Sequence, residues 1–342
     1  MLDRGDCAVK GYFAFPPMEV EIMRTPFSSL PIYLCALIMF LAVARAAGAA
    51  QEVKIAIPSF TVQYLPAVVA EEKGFYKQED LDVKLVLMRG ANETILALNG
   101  GYIDFVMAIG PAVPLINKGS DIKFLCQQVG EVTFSLLVRP DIKNIKELVG
   151  KSIGVSFGGT TYTGTIAVLN KLGFNAEKDF RYLNIRGSSP KLAALQQGII
   201  DAAPLSVPED IRAVRGGFKR LLYYGETLNN VAFTGLATLG TTIKTKPEIV
   251  KSVVRALVKG VYHTRENRED AVVVIMKRFK ADRAMAEESY DLIRKSFSPV
   301  PTEEGVRLSA ELELGKFEEK VPPSQYMNLQ FLNEVIKELK KK

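Results

Sequence analysis

The sequence repeats part of itself at a spacing of 97 residues. Residues 89–104 read RGANETILALNGGYID and residues 186–201 read RGSSPKLAALQQGIID, so that seven of 16 aligned positions are identical. Unrelated segments of ordinary composition would share about one. The same spacing aligns residues 53–60, VKIAIPSF, with residues 150–157, GKSIGVSF. Because solenoid repeats are only about 20–50 residues long, we predict two similar α/β units with a cleft between them.

Short apolar runs alternate with helical patterns along the chain. This alternation is typical of βαβ units and mostly parallel sheets. The hydrophobic share of 48% and the charged share of 24% are typical of a soluble globular protein. We predict strands at residues 53–58, 82–88, 103–109, 122–128, 134–138, 152–156, 180–185, 200–206 and 233–239. We predict helices at residues 65–74, 92–99, 161–172, 190–197, 250–263, 267–279, 284–297 and 328–340.

The repeated units predict an α/β fold with two lobes, each a mostly parallel sheet flanked by helices. Lobe one is expected to contain residues 51–136 and 234–342, and lobe two residues 137–233. The apolar runs at residues 134–138 and 233–239 are expected to carry the chain across to lobe two and back. The C-terminal helices should pack on lobe one, which makes that lobe discontinuous.

Residues 1–50 are a leader that does not belong to this fold. The run of 15 apolar residues at positions 30–44 follows Arg24 and precedes the small residues AGA at positions 47–49. This order of charge, apolar run and small residues is typical of a secretory signal peptide. We therefore predict a signal peptide within residues 23–50 and export to the periplasm.

The start of the leader does not fit a signal peptide. Residues 1–22 contain four acidic and two basic residues, whereas a signal peptide begins with positive charge. We hypothesise that translation starts at Met23. The alternative is an uncleaved leader that keeps the protein at the membrane, although its apolar run is shorter than the roughly 20 residues that a spanning helix needs.

The remaining composition excludes several classes of partner. Without the leader, Cys126 is the single cysteine, so no intramolecular disulfide can form, and its apolar neighbours predict a buried thiol. The net charge of +6 is spread along the chain and forms no basic stripe of the kind that binds nucleic acid. We predict a monomer with no nucleic-acid partner, no metal and no cofactor.

Polar and glycine-rich loops follow the first two predicted strands of each lobe. In open parallel sheets, ligands bind beyond the carboxyl ends of the strands, where loops lead into helix N-termini. Glycine lets the backbone approach a ligand, free N–H groups at helix starts favour anions, and hydroxyls add directional hydrogen bonds. The candidate ligand-binding residues of these loops are Ser59, Phe60, Thr61, Gln63, Tyr64, Arg89, Gly90, Asn92, Ser156, Gly158, Gly159, Thr160, Thr161, Tyr162, Arg186 and Ser188.

Each of these residue types also has a structural interpretation. Ser, Thr and Gly are ordinary cap and turn residues, although residues 156–164, SFGGTTYTG, combine a double glycine with a hydroxyl-rich helix start. Arg89 and Arg186 can pair with an anionic ligand or bond loop carbonyls. The repeated Asp104 and Asp201 are interpreted as structural turn residues. Four aromatic residues on the loops can clamp a ring or serve as packing residues: Phe60, Tyr64, Phe157 and Tyr162.

One motif points to a different class of protein. Residues 154–158, GVSFG, match the G-x-S-x-G nucleophile turn of hydrolases. Ser156 would be the nucleophile, and Asp201 or Asp210 and then His263 follow in the required order. His263 is the only histidine and lies inside a helical pattern rather than on a loop after a strand. A serine hydrolase is therefore a remote alternative.

Four segments in sequence order resemble a known family. They are residues 64–90 (YLPAVVAEEKGFYKQEDLDVKLVLMRG), 97–108 (ALNGGYIDFVMA), 136–159 (LLVRPDIKNIKELVGKSIGVSFGG) and 192–208 (LAALQQGIIDAAPLSVP). These segments are similar to the solute-binding proteins of bacterial ABC importers, in the branch related to thiamine-pyrimidine-precursor, aliphatic-sulfonate, taurine and nitrate binding proteins. The resemblance covers about residues 53–280. It implies a type II periplasmic-binding fold, in which two lobes joined by two crossover strands close on a ligand.

The same superfamily includes eukaryotic enzymes that make the thiamine pyrimidine from their own histidine. This chain lacks the cysteine cluster of those enzymes, so we expect a binding protein and no enzyme. The family's binding residues lie on the loops after the first strand of each lobe and at the helix starts after Gly90 and Gly187. They also lie around residues 206–209, which adds Ser206 and Glu209 to the candidates. The family's aromatic ring clamps are not matched here, so the substrate does not carry over.

Together these observations predict the exported substrate-binding component of an ABC importer. The protein would capture a small anionic or zwitterionic organic solute by hinge closure of its two lobes. It would then deliver the solute to a permease in the inner membrane. The alternative is a ligand-sensing domain that reports to a signalling partner.

Overall fold

The computed structural model describes residues 50–88, 90–314 and 322–341. Within it, Ala50–Lys342 form one compact unit. The predicted leader and Arg89 lie outside the described residues. No helix in the described part of the chain is long and apolar enough to cross a membrane.

The described elements alternate in the βαβ manner that the apolar runs predict. The strands are β1 (Gln51–Ile57), β2 (Leu81–Leu87), β3 (Phe105–Val106), β4 (Ile122–Val129), β5 (Ser135–Val138), β6 (Ser152–Val155), β7 (Arg181–Asn184), β8 (Ala202–Leu205), β9 (Lys219–Tyr223) and β10 (Thr234–Leu239). The α-helices are α1 (Leu65–Glu72), α2 (Ala91–Asn99), α3 (Val113–Ile116), α4 (Thr160–Lys171), α5 (Ala176–Asp179), α6 (Ser188–Gln196), α7 (Glu209–Arg215), α8 (Gly240–Thr245), α9 (Pro247–Glu266), α10 (Arg268–Phe279), α11 (Arg283–Ile293), α12 (Glu303–Leu314) and α13 (Gln330–Leu339). Short 3-10 turns lie at Val62–Tyr64, Lys77–Glu79, Gly110–Ala112, Ile145–Leu148, Tyr224–Glu226, Arg294–Ser296 and Pro323–Gln325.

Several described elements were not predicted, among them β9 and α12. β9 begins with two basic residues and is only partly buried, so it lacks the apolar alternation of a strand that faces a core. The first two residues of α12 are glutamates, and its few apolar positions do not stand out from a solvated segment.

The strands form two five-stranded sheets that share one topology. The order in the first sheet is β2-β1-β3-β10-β4, and the order in the second is β7-β6-β8-β5-β9. In each sheet the first three strands are parallel, and the fourth, β10 or β5, is antiparallel to both of its neighbours. The predicted two-lobed α/β fold with mostly parallel sheets is confirmed, and the second sheet repeats the first, as the duplicated sequence predicts.

The chain crosses between the two sheets in two segments. The first segment lies between Val129, where β4 ends, and Ser135, where β5 begins. The second lies between Tyr223, where β9 ends, and Thr234, where β10 begins. β5 and β10 were expected to carry the chain across, but each lies inside a sheet, and the crossings precede them. The exact bounds of the lobes remain a prediction.

Strand β6 of the second sheet is displaced by one residue relative to the alignment of the sequence repeat. Ile55 pairs with Phe105 in the first sheet, and Ile153 pairs with Ala202 in the second. Phe105 and Ala202 are 97 residues apart, whereas Ile55 and Ile153 are 98 apart. The predicted alignment of β1 with β6 is therefore one residue out of register.

The two repeated aspartates hold this register. Asp104 Oδ2 accepts a hydrogen bond of 2.9 Å from the backbone N–H of Lys54. Asp201 Oδ2 accepts one of 2.8 Å from the backbone N–H of Ser152. Because a shift of one residue moves every side chain of a strand to the other face, a carboxylate bonded to one backbone N–H selects a single register. These contacts agree with the structural interpretation of both aspartates.

The C-terminal helices contact elements of both sheets. Helix α9 packs on α1 of the first sheet, where a Cβ at Gly260 would overlap the carbonyl oxygen of Pro66. Helix α12 packs on α3 and also on α4, which follows β6 of the second sheet. Asp282, which caps α11, pairs with Arg215 of α7 at 2.7 Å. Packing on lobe one was expected, and the contacts with α4 and α7 add elements of the second sheet to it.

Candidate ligand-binding cavity

A cavity of about 80 Å³ lies between the two sheets, at the ends of their parallel strands. Ten predicted residues line it: Ser59, Gln63, Tyr64, Gly90, Ser156, Gly159, Thr160, Thr161, Ser188 and Ser206. The other lining residues are Pro58, Ala91, Met107, Ala108, Pro111, Phe134, Gly187, Lys191, Phe233 and Thr234. Sites for drug-sized ligands measure roughly 300–1,000 Å³, so this cavity suits a small solute.

The loop after β1 is bonded directly to the second sheet. Gln63 Oε1 accepts hydrogen bonds from Ser206 Oγ at 3.2 Å and from Thr133 Oγ1 at 3.4 Å. The backbone N–H of Val62 donates to the carbonyl oxygen of Val207 at 3.0 Å. Ser206 and Val207 follow β8, so these contacts join the lobes at one edge of the cavity.

The loop after β6 is shaped by its own hydrogen bonds and by one glycine. The backbone N–H of Ser156 donates to Thr161 Oγ1 at 2.9 Å, and Ser156 Oγ donates to the Ile185 carbonyl oxygen at 3.2 Å. Gly158 has φ of +70°, a conformation that favours glycine. A Cβ at this position would overlap the Asn92 side chain of α2. Gly158 and Asn92 therefore form a contact between the lobes, beside the cavity lining.

The start of α4 contacts a carboxylate from the distant helix α12. Thr160 Oγ1 donates to Glu313 Oε1 at 2.8 Å, and Thr163 Oγ1 donates to the same oxygen at 3.3 Å. Burial raises the pKa of Glu313 to about 7, although the two hydroxyl donors favour its charged form. We predicted this helix start as a place for the negative charge of a ligand, but the structure shows a carboxylate of the protein there.

The starts of α2 and α6 follow glycines with left-handed backbone conformations. Gly90 has φ of +125° and Gly187 has φ of +81°. The carboxylate of Glu93 lies against Gly90 and forms an ion pair with Arg186 of the second sheet. Arg186 is half exposed and does not line the cavity. Arg186 was expected to contact either an anionic ligand or loop carbonyls. The structure shows it paired with the carboxylate of Glu93 instead.

Lys191 is the one charged side chain among the ten described lining residues that were not predicted. It lies in α6, is 1% exposed, and its Nζ is 5.9 Å from the centre of the Phe134 ring. Burial lowers the pKa of Lys191 to about 7. The equivalent position of the repeat, Thr94, lies 97 residues earlier and is also fully buried.

Seven described candidates lie outside the cavity lining: Phe60, Thr61, Asn92, Gly158, Tyr162, Arg186 and Glu209. The Phe60 ring stacks on Phe279 with centroids 4.7 Å apart. Tyr162 packs edge-on against Phe157 at 5.2 Å. Tyr64 is thus the one predicted ring clamp that lines the cavity. The other two aromatic rings in the cavity lining are Phe134 and Phe233, the last residues of the two crossing segments.

The structure does not assemble the serine hydrolase that the G-x-S-x-G motif suggested. The hydroxyl of Ser156 donates to a backbone carbonyl, and by sheet register this residue corresponds to Pro58. His263 lies in α9 with Nε2 2.7 Å from Asp270 Oδ2 and Nδ1 3.4 Å from Asn267 Nδ2. A serine nucleophile requires a base within hydrogen-bond reach, and both ring nitrogens have other partners.

Known proteins resemble this chain in sequence and in fold. The family described as NMT1/THI5 like matches residues 61–271. The “Putative binding protein YtlA” of Bacillus subtilis (strain 168) is 27% identical over 291 residues, which are 79% of this chain and 85% of that protein. The periplasmic nitrate-binding protein NrtA from Synechocystis PCC 6803 has a TM-score of 0.71 and 15% identity, over 86% of this chain and 90% of that one. The alkanesulfonate-binding protein SsuA from Xanthomonas axonopodis pv. citri bound to MOPS has a TM-score of 0.67 and 17% identity, over 78% of this chain and 94% of that one.

Proposed function

Because the chain belongs to the NMT1/THI5-like family, we propose that it is the exported substrate-binding component of an ABC importer. It captures a small anionic or zwitterionic organic solute in the periplasm and delivers it to a permease in the inner membrane. Structures of the same fold are named for binding nitrate and alkanesulfonate, and these names support a small anion as the cargo. The proposed role is binding and release, without catalysis.

The observation that supports this role most strongly is that loops from both sheets line the same cavity. Ser59 and Gln63 come from the first sheet, and Ser156 and Ser188 from the second. A solute in this cavity contacts both lobes at once, which neither lobe alone can provide. Contacts made only in the closed arrangement give the solute a higher affinity for that arrangement and shift the population towards it.

Closure would be a hinge motion about the two crossing segments, residues 130–134 and 224–233. Hinges of this kind absorb the backbone rotation in a few residues between rigid elements. The bonds from Gln63 to Ser206 and from Val62 to Val207 join the lobes and would break on opening. A micromolar affinity corresponds to about −8 kcal/mol, which a few charge-assisted hydrogen bonds and a buried apolar group can supply.

A thermal-shift screen of the mature protein from Gln51 tests the proposal. The panel would contain sulfonates, nitrate, carboxylates, amino acids, pyrimidines and aromatic acids. A solute at a hundred times its dissociation constant adds about 2.7 kcal/mol to the free energy of unfolding, which raises the melting temperature by several degrees. A well-folded protein that no member of the panel stabilises would contradict the proposal.

The variant Gln63→Leu tests whether the solute occupies this cavity. Gln63 is 4% exposed and lines the cavity, so the loss of its amide should weaken binding of the solute at least tenfold. Gln78→Leu is the matched control, since Gln78 is exposed in the turn Lys77–Glu79 and does not line the cavity. Equal affinities of both variants and the wild type would place the solute elsewhere.

A further inference from the structure

The charge of the cavity comes from one side chain. Lys191 is the only charged residue in its lining, among the part of the chain that the structure describes. It is 1% exposed, and no described residue accepts a hydrogen bond from its Nζ or forms an ion pair with it. A buried charge without a partner is costly. An unpaired ammonium group at a cavity therefore calls for a negatively charged ligand.

We propose that Lys191 binds the anionic group of the solute and that the solute is a monoanion with a compact apolar body and no ammonium group. This inference rests on the function proposed above and names the ligand class of the same cavity. It narrows the anionic or zwitterionic solute of the sequence prediction to the anion.

No carboxylate of the protein neutralises the lysine. Helix α6 packs on α7, β6 and β8, and the two strands, SIGV and AAPL, carry no charged side chain. Carboxylates on α7 and on the facing elements have their own partners: Glu209 with Ser189 and Arg212, Asp210 with Ser135 and Arg220, Glu93 with Arg186, and Glu313 with Thr160 and Thr163. The counter-ion for the Lys191 ammonium group must therefore come from the ligand.

A hydroxyl on the same helix completes the anion site. Ser188 lies three residues before Lys191, and residues at this spacing share a helix face. Ser188 Oγ accepts a hydrogen bond of 3.3 Å from the backbone N–H of Ser206, so its own hydrogen remains available to a ligand oxygen. Both residues lie in the first turns of α6, a helix of nine residues, whose N-terminal dipole favours an anion.

The rest of the lining suits an apolar body and provides no place for an ammonium group. Phe134, Phe233 and Met107 contribute apolar side chains to the cavity. No described aspartate or glutamate lines it. The ammonium group of a zwitterion would lose its water without gaining a counter-ion, and an unpaired buried charge costs more than a neutral apolar group in the same place.

Proton uptake follows from the state of the lysine before binding. Burial lowers the pKa of Lys191 to about 7, so above that pH the ligand-free lysine is mostly neutral. A bound anion stabilises the ammonium form and raises this pKa. The ligand therefore binds with one proton in the window between the free and bound values. Affinity should be constant below pH 6 and fall up to tenfold per pH unit above about pH 7.

Isothermal titration of the mature protein with matched probe pairs tests the ligand class. The pairs are ethanesulfonate with taurine and propionate with β-alanine, which differ by one ammonium group, alongside the neutral compound uracil. We expect a monoanion to bind at least tenfold more tightly than its zwitterionic partner. Titrations at pH 8 in triethanolamine and in Tris, two cationic buffers that differ in ionisation enthalpy, should reveal uptake of 0.5 to 1 proton.

The variant Lys191→Met tests the residue. Methionine keeps the length and apolar character of the side chain, so the protein should fold, with a melting temperature at least equal to that of the wild type. We expect its affinity for the monoanion to fall at least a hundredfold and its proton uptake to disappear. Lys178→Met is the control with the same charge change, because Lys178 is exposed on α5. It should bind as the wild type does.

The outcomes separate this inference from the proposed function. Binding of a monoanion that Lys191→Met leaves unchanged would overturn the role of Lys191 while the binding function stands. Binding without proton uptake at pH 8 would overturn only the neutral state of the ligand-free lysine. Tighter binding of taurine, β-alanine or uracil would overturn the ligand class alone. If no probe of this set or of the wider screen binds the folded wild type, the proposed function fails and the inference fails with it.

Discussion

Replacing Lys191 with methionine should stabilise the ligand-free protein by an amount that depends on pH. Burial lowers the pKa of Lys191 from 10.5 to about 7. One pKa unit corresponds to about 1.4 kcal/mol, so the protonated lysine costs about 5 kcal/mol more in the folded protein than in the unfolded chain. The lysine is almost completely buried, and solvent therefore screens little of this cost. Methionine removes the charge and fills a similar volume.

The stability advantage of Lys191→Met over the wild type should decrease as the pH rises. Below pH 7 the lysine is protonated in both states, and the variant has its full advantage. Between pH 7 and 10.5 the unfolded chain holds a proton that the folded protein has released, so wild-type stability rises with pH. The advantage of Lys191→Met should therefore shrink by about 1.4 kcal/mol per pH unit in this window.

Urea unfolding followed by circular dichroism at pH 6, 7, 8 and 9 measures this difference. Comparison with the wild type at each pH cancels the titration of every other group. Lys178→Met, at an exposed position, should differ from the wild type by less than about 0.5 kcal/mol at every pH. A variant Lys191→Met that is less stable than the wild type at pH 6, or whose advantage does not change with pH, would refute the reasoning.

Three further predictions concern Glu313, the lobe contact and the core thiol. The stability of Glu313→Gln relative to the wild type should increase as the pH is raised from 5 to 7, because burial raises the Glu313 pKa to about 7 and the folded wild type retains a proton that the unfolded chain releases. A difference in melting temperature that stays constant over this range would contradict this prediction. Gly158→Ala should weaken solute binding at least tenfold in titrations, since its Cβ would overlap Asn92. Gly150→Ala is the control, because Gly150 also has a positive φ but open space around it; this substitution should cost about 1 kcal/mol of stability and leave the affinity unchanged. If Gly158→Ala bound the solute as tightly as Gly150→Ala does, the contact between Gly158 and Asn92 would not be needed for closure. Cys126 should react with a thiol reagent only in the unfolded protein, because burial raises the pKa of its thiol to about 12; rapid reaction of the native protein would show that the thiol is accessible.

The architecture and the general location of the cavity could be predicted from sequence patterns alone. Strand and helix periods are local properties, so short apolar runs could be assigned without knowledge of their neighbours. The repeat of residues 89–104 at residues 186–201 implied two sheets of one topology. The rule that ligands bind beyond the carboxyl ends of parallel strands then selected loops, and ten of their residues and neighbours line one cavity.

The register of the repeat and the identity of the lining rings were decided by tertiary structure. The sequence aligns β1 with β6 at the same spacing as the later segments, yet strand pairing displaces β6 by one residue. Phe134 and Phe233 lie in apolar runs that were predicted as crossing strands. For Phe60 the sequence allowed either a ring clamp or a packing residue, and the structure shows it packed on Phe279. An aromatic side chain has the same local pattern in each case, and only its neighbours across the fold decide its role.

The electrostatics of the cavity also emerged only from long-range contacts. Glu313 reaches Thr160 across 153 residues of sequence, so a local pattern could not place a carboxylate at the start of α4. Lys191 reads as a solvated charge on a helix, because nothing nearby in the sequence reveals that Phe134 and the cavity enclose it. Secondary structure follows from neighbours along the chain, whereas burial and charge pairing depend on which distant residues the fold brings into contact.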